Sequence, residues 1–338
     1  METDSSVSTT ASSLDTEITN QTILFSIKLL CKRIGERNPL AFVRVLHFLS
    51  EHLTHTSLYI VVNKDASVTN KPASSLRNVN LLASVLLCVG EVCLKLKSNA
   101  LSHLNQTMLF ALDIADWLVT ASAAATAFSF KSHELLLISC VTCILKIVLH
   151  LANFLSPHLT RLFRACCSLS RLCADQRRLG SLSDSASDDL TQCEAKLGQL
   201  RSALASLLPL RLVAPILAEH ATLLATSSSS DWKTTEYYMQ MARVAVQSAS
   251  QEDLLANLRT LRAMYMSLFE VRASARGQKA MLSELSALEG HVSGAFCEMT
   301  FKLSEDLFKP VFFRLYEWAT VNGPPKERQI TFYGLTLK

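Results

Sequence analysis

The chain has 338 residues, 49% of them hydrophobic and 18% charged, with a formal net charge of +4. That balance supplies ample apolar surface for a core and excludes global disorder, while the small positive excess is too weak by itself to argue for nucleic acid. Nine glycines and eight prolines are few for a fold rich in β-hairpins. Ten cysteines sit mostly inside apolar helical stretches, which reads as buried free thiols of a reducing compartment rather than a disulfide framework. The opening METDSSVSTTASSLDTEITN has no apolar run, so it is not a secretory signal.

Residues 1–18, rich in Ser and Thr, read as disordered. From about Thr19 onward the apolar residues recur with a helical period. Ile23, Ile27, Leu30, Cys31 and Ile34 form one stripe. After the break at Asn38 and Pro39, Phe42, Val43, Leu46, Leu49 and Leu53 form the next. A third joins Leu82, Val85, Leu86, Val89, Cys93 and Leu96, with Ser84, Glu91, Lys95 and Ser98 on the opposite face. Further stripes run through 108–118, 159–173, 197–208, 239–246, 254–269 and 281–301, and no stretch alternates long enough to nominate a sheet. Three breaks are longer and polar: 63–78 reads as a mobile loop, 180–189, where serines alternate with acids, as a solvated loop with phosphorylation as the alternative, and 226–231 as a polar break.

Residues 135–155 are long enough to span a bilayer about 30 Å thick. Ser139, Thr142, Lys146, His150 and Asn153 nevertheless fall within one helical stripe, and Lys146 at mid-bilayer would cost about 3 kcal/mol. The expectation is a helix buried on most sides with one wet edge, and no membrane. Near the C-terminus, Val311, Phe312, Leu315, Trp318 and Ala319 share a helical face, with Pro310 placed in the first turn. Gly323, Pro324 and Pro325 then break the chain, and a last helix is predicted with Ile330, Tyr333 and Leu337 on one side. Helix pairs recurring at roughly 40 residues predict an all-α, HEAT- or armadillo-like helical-repeat solenoid.

No residue set points to chemistry. Cys140-x-x-Cys143 lacks the further ligands a zinc site needs and lies inside a helix, so it reads as core. The nine histidines are scattered, and phosphate loops, nucleophile elbows and zinc-protease motifs are absent. The expectation is therefore no catalytic residue, no metal, no cofactor and no small-molecule substrate. One basic row remains. On a helix over 156–179, Arg164, Arg171 and Arg178 fall within about 40° of one another, flanked by Arg161 and Arg177, and such a row can track RNA phosphates. The competing reading is an ordinary solvated face, since stacking aromatics are absent from the row.

The segment 302–333 resembles the C-terminal region of the HEAT-repeat U3 small-nucleolar-RNA-associated proteins of the small-subunit processome. The resemblance rests on Lys302-Leu303-Ser304-Glu305, Phe308, Pro310, Phe312-Phe313, Leu315, Trp318-Ala319, Pro325-Lys326-Glu327-Arg328 and Thr331-Phe332-Tyr333. Upstream it continues more weakly through Leu30-Cys31, the 86–93 helix, Ser156-Pro157-His158-Leu159 and Leu268-Phe269-Glu270-Val271-Arg272.

The resemblance implies a non-catalytic scaffold of the nucleus and nucleolus, joined to processome proteins and the U3 ribonucleoprotein and acting in 18S rRNA maturation and RNA polymerase I transcription. Direct contact with pre-rRNA would fall to Arg161, Arg164, Arg171 and Arg178. Phe308, Pro310, Phe312, Phe313, Trp318, Phe332 and Tyr333 would act in packing. Residues 19–300 would be HEAT-like repeats and 301–338 the start of the family's C-terminal helical domain. Because family members are far longer, the chain is expected to be a fragment, a truncated gene model or a short isoform, with Phe312, Trp318 and Tyr333 partly exposed. The alternative functional reading is a generic helical-repeat adaptor for protein partners.

Overall fold

A computed structural model describes residues 5–55, 79–123, 130–179, 184–226, 231–274, 282–320 and 326–337, and every long regular element among them is an α-helix. The chain divides into two compact units, Met1–Leu200 and Arg201–Lys338. The first contains α1 (Ser5–Ile34), α2 (Pro39–His55), α3 (Val79–Leu96), α4 (Leu101–Ala123), α5 (Phe130–Leu151) and α6 (Leu159–Arg178). Helix α7 (Asp184–Leu207) runs through the point of division.

Within the first unit, helices two apart in sequence lie side by side. Helices α1, α3 and α5 form one layer; α2, α4 and α6 form the other, with α2 on α3 and α4 on α5 joining them. This is how an amphipathic helical hairpin with no core of its own buries its apolar face against its neighbours. The fold is all-α and of the helical-repeat class.

The tightest contact lies between α3 and α5. A Cβ on Gly90 would stand 3.0 Å from the Cys143 Cα, so only glycine lets the backbones approach this closely. Around that point Leu86, Cys88, Val89, Val92, Cys140, Val141 and Cys143 are all fully buried. Two charged residues assigned by periodicity to polar faces meet here. Lys146 of α5 donates to Glu91 of α3, whose side chain is only 9% exposed.

The wet edge expected on α5 is correspondingly shorter: Ser139 and Thr142 lie in the core, and only His150 and the following Asn153 are exposed. Two stretches, Val79–Ser122 and His133–Phe154, are long and apolar enough to cross a membrane by length and composition. In each, 67% of the apolar window is buried inside the protein. The first stretch is not a single rod, because Lys97 adopts φ 50° between α3 and the short 3-10 turn Lys97–Ala100. A left-handed lysine costs about 1–2 kcal/mol, which the packing on either side offsets.

Several local expectations change. Helix α1 begins at Ser5, upstream of Thr19. Its buried seam is Leu24 and Cys31, whereas Ile23, Leu30 and Ile34 of the expected stripe are exposed, because the helix touches its neighbour α3 along one narrow side. Helix α7 starts at Asp184, inside the stretch read as a loop over 180–189. The break at 63–78 lies outside the described residues.

The second unit contains α8 (Leu210–Thr226), α9 (Trp232–Ser248), α10 (Gln251–Phe269), the single turn α11 (Val271–Ser274), α12 (Leu282–Thr300), α13 (Glu305–Thr320) and α14 (Lys326–Thr336). Again α8 packs on α10 and α9 on α12. The starts of α9 and α10 are capped as their sequences require. Asp231 accepts from the Thr234 amide at 3.1 Å, and Ser250 accepts from the Asp253 amide at 3.1 Å.

Pro310 is not in the first turn of its helix. Helix α13 starts at Glu305, with the Ser304 carbonyl accepting from Leu307 and Phe308, so the acidic pair Glu305 and Asp306 occupies the first turn. Those carboxylates suit the positive end of the helix dipole, and the exposed Pro310 follows in the second turn.

Candidate functional site

The C-terminal helices are held together at one carboxylate. Glu270 follows the last residue of α10, where a negative charge opposes the helix dipole. Two groups from distant segments offset that cost. The Trp318 indole of α13 donates to Glu270 Oε1 at 2.7 Å. The Arg328 guanidinium of α14 reaches both oxygens, at 2.7 and 3.2 Å, and lies over the Trp318 ring with its carbon 5.5 Å from the centroid. Beside this knot Arg272 pairs with Glu289 of α12, and the bidentate hydrogen bonds keep the guanidinium charged. Glu270, Trp318, Arg328, Arg272 and Glu289 thus fasten α10, α11, α12, α13 and α14 into one assembly.

Above the knot runs an aromatic band. Phe308 and Phe312 lie 5.8 Å apart, Phe312 and Phe332 5.9 Å, and Tyr316 and Phe332 6.0 Å, at the offset angles aromatic pairs prefer. Phe332 is the buried residue of α14. Ile330, Tyr333 and Leu337, the stripe expected to face inward, are exposed at 53%, 58% and 87%. The register is decided by Phe332 fitting between Phe312 and Tyr316, with Arg328 one turn earlier on the same side. Of the other packing residues, Trp318 and Phe312 are half-buried, Phe313 is exposed and Pro310 faces solvent.

A cleft of about 210 Å³ opens beside the knot, between α10, α12 and α14, lined among others by Leu268, Phe269, Gly290 and Gly334. It is smaller than the roughly 300–1,000 Å³ usual for small-molecule sites, and its charged lining residues, Arg272 and Glu289, are spent on each other.

The arginine row of α6 divides. Arg161 donates to Asp116 at 2.8 Å and also pairs with Asp113, tying α6 to α4. Arg171 bridges to Asp175 of its own helix, and Arg177 reaches Glu194 and Thr191 of α7. Arg164 and Arg178 are exposed. Cys140 and Cys143 are fully buried, and the Cys140 thiol donates to the Ala111 carbonyl at 3.3 Å. Burial pushes both thiols far above the usual range, so they are inert core groups. Among the described residues no cluster of three or more potential ligands could hold a metal ion.

Residues 253–338 match the BP28CT (NUC211) domain, the stretch containing the Glu270 knot and the aromatic band. Over 94% of its length the chain is 27% identical to HEAT repeat-containing protein 1 of Homo sapiens, and equally to that of Danio rerio. It is related to the HEAT repeat-containing protein 1 family. A shorter match, 25% identical over 32% of the chain, is to U3 small nucleolar RNA-associated protein 10 of Neurospora crassa. The chain spans 13% of the length of the human and zebrafish relatives.

The motifs that carried the resemblance at 268–272, 318–319 and 325–328 meet in space at Glu270. Sequence reasoning assigned Glu270 and Arg328 no role. The available signal was a carboxylate placed just after an apolar helical stripe, where the dipole calls for a cation to offset it.

Proposed function

We propose that the chain is a non-catalytic helical-repeat scaffold of the nucleolar small-subunit processome, acting in ribosome biogenesis. The observation that carries this reading is the similarity to HEAT repeat-containing protein 1 across 94% of the chain, reinforced by the domain match at 253–338 and the U3-associated relative. In this reading residues 19–300 supply HEAT-like repeats and 301–338 belong to the C-terminal helical domain. The layered helices hold partners in place, pre-18S rRNA processing and RNA polymerase I transcription being the processes served. Partners would be processome proteins and the U3 ribonucleoprotein. Direct RNA contact through the α6 row would involve Arg161, Arg164, Arg171 and Arg178, of which Arg161 and Arg171 also pair with carboxylates.

Affinity purification of the tagged chain from nuclear extract tests the reading. U3 RNA and processome proteins should be recovered, with the U3 signal lost on nuclease treatment. Recovery of protein partners alone, unchanged by nuclease, would instead support a protein adaptor, and recovery of neither would remove the scaffold reading.

A further inference from the structure

Helices α1, α3 and α5 run parallel and in register, so their C-terminal ends share one edge of the first unit. The register is explicit in the contacts. The Cys31 thiol lies against the Glu91 carbonyl, and a Cβ on Gly35 would stand 3.1 Å from the Lys95 Cβ. Further along the layer Gly90 abuts Cys143 and Glu91 meets Lys146. Beyond these contacts segment 95–99 follows on in the middle, beside 32–38 through the Lys95–Glu36 pair, with 150–154 at the end of the helix on its other side.

Their charge is lopsided. Lys32, Arg33, Arg37, Lys95 and Lys97 are cations, and Glu36 is the one carboxylate in the three segments. Glu36 is spoken for by Lys95 at 3.2 Å, and that contact together with the nearby Lys97 holds its carboxyl below the usual range. Lys32, Arg33, Arg37 and Lys97 are all exposed. The three helix C-termini each contribute about −0.5 charge, which leaves the edge positive even after they and Glu36 are counted. Lys97 is held in a left-handed conformation at this edge. Ser98, Asn99, His150 and Asn153 add exposed polar groups, and Phe154 is an exposed aromatic at its far end.

The α6 row differs in kind: it faces Asp113, Asp116, Asp175 and Glu194, which neutralise much of it. We propose that the edge formed by the C-terminal ends of α1, α3 and α5, with Lys32, Arg33, Arg37 and Lys97 as its cations, binds the phosphodiester backbone of single-stranded RNA. Helices in a packed layer stand about 8–10 Å apart, so the edge offers an extended track rather than a single anion hole. An exposed ring beside such a track suits sequence-tolerant base stacking. The proposal deepens the ribosome-biogenesis reading by naming where RNA would touch, but its test uses purified components. It can therefore fail while U3 recovery succeeds, or the reverse.

The full chain is titrated by fluorescence anisotropy against an oligouridine of about 20 nucleotides, across salt concentrations. With four exposed cations engaged, log K should fall with log salt at a slope of about −2 to −3. Joint reversal, Lys32→Glu, Arg33→Glu, Arg37→Glu and Lys97→Glu, should weaken binding by at least about tenfold and flatten the slope, whereas reversal of two exposed arginines of the second unit, Arg211→Glu with Arg259→Glu, should change it less than about threefold. Circular dichroism reports folding of each variant. Should the reversal lower the melting temperature, the milder Arg33→Gln, Arg37→Gln and Lys97→Gly combination replaces it, with the same loss of slope expected. Binding without salt dependence, no binding by the wild type, or full binding by the neutralised edge would overturn the proposal. So would displacement of the RNA by polyglutamate at equal charge, which would assign the edge to an acidic protein.

Discussion

His220 stands against Tyr238 at 3.7 Å between ring centroids, with Nε2 3.1 Å from the Thr235 hydroxyl. Burial disfavours its charged form and moves its pKa down to about 4, with Asp231 acting weakly in the opposite direction. In the unfolded chain the imidazole takes up its proton near pH 6.5; in the folded chain it resists until about pH 4. The folded state therefore loses stability as pH falls from about 6.5 towards 4, by at most about 1.4 kcal/mol per pH unit from this group. His220→Gln should flatten that part of the stability-versus-pH curve, measured by urea unfolding at several pH values. An unchanged acid slope would show that His220 is not the group responsible. Nothing in the local sequence, LAEHATL, announces this; the stacking partner and the hydroxyl come from another helix.

At the scale of elements, the α3–α5 seam shows what periodicity can and cannot read. The apolar stripe of α3 is buried as expected, because burial of large side chains dominates the choice of face. The charged positions were misassigned. Glu91 and Lys146 each look like solvent-facing residues on their own helix, and only the close approach at Gly90 and Cys143 brings them together. Lys146→Ala would leave Glu91 buried without its cation and should cost about 3–5 kcal/mol, while replacing both residues by leucine should be close to neutral. Thermal unfolding of the single and double variants separates these outcomes. Equal destabilisation by both would mean that the ion pair itself contributes strongly. The C-terminal hairpin offers the same lesson: Ile330, Tyr333 and Leu337 have helical spacing, yet Phe332 is the residue that finds a complementary surface.

For the whole molecule, two compact units of stacked helices make unfolding a sum of local terms rather than one global event. Urea unfolding followed by circular dichroism should show two transitions. Lys146→Ala should shift one of them. Glu270→Ala, which strips Arg328 and the Trp318 indole of their shared acceptor, should shift the other by about 1–3 kcal/mol. A single transition moved equally by both substitutions would show that the units unfold together.

Composition and apolar period were enough to determine an all-α repeat class, buried free thiols, and the absence of any recognisable catalytic motif. Each of these depends on residue type and spacing along one chain segment, and so does the family signature at 302–333. Tertiary structure decided which charges are already spent and which surfaces remain. It paired the α6 arginines with carboxylates on α4 and α7, joined three distant motifs at Glu270, and gathered cations from separate helix ends onto one edge. Such pairings join residues tens of positions apart, and electrostatic energy depends on distance in space, which no periodicity along the chain encodes.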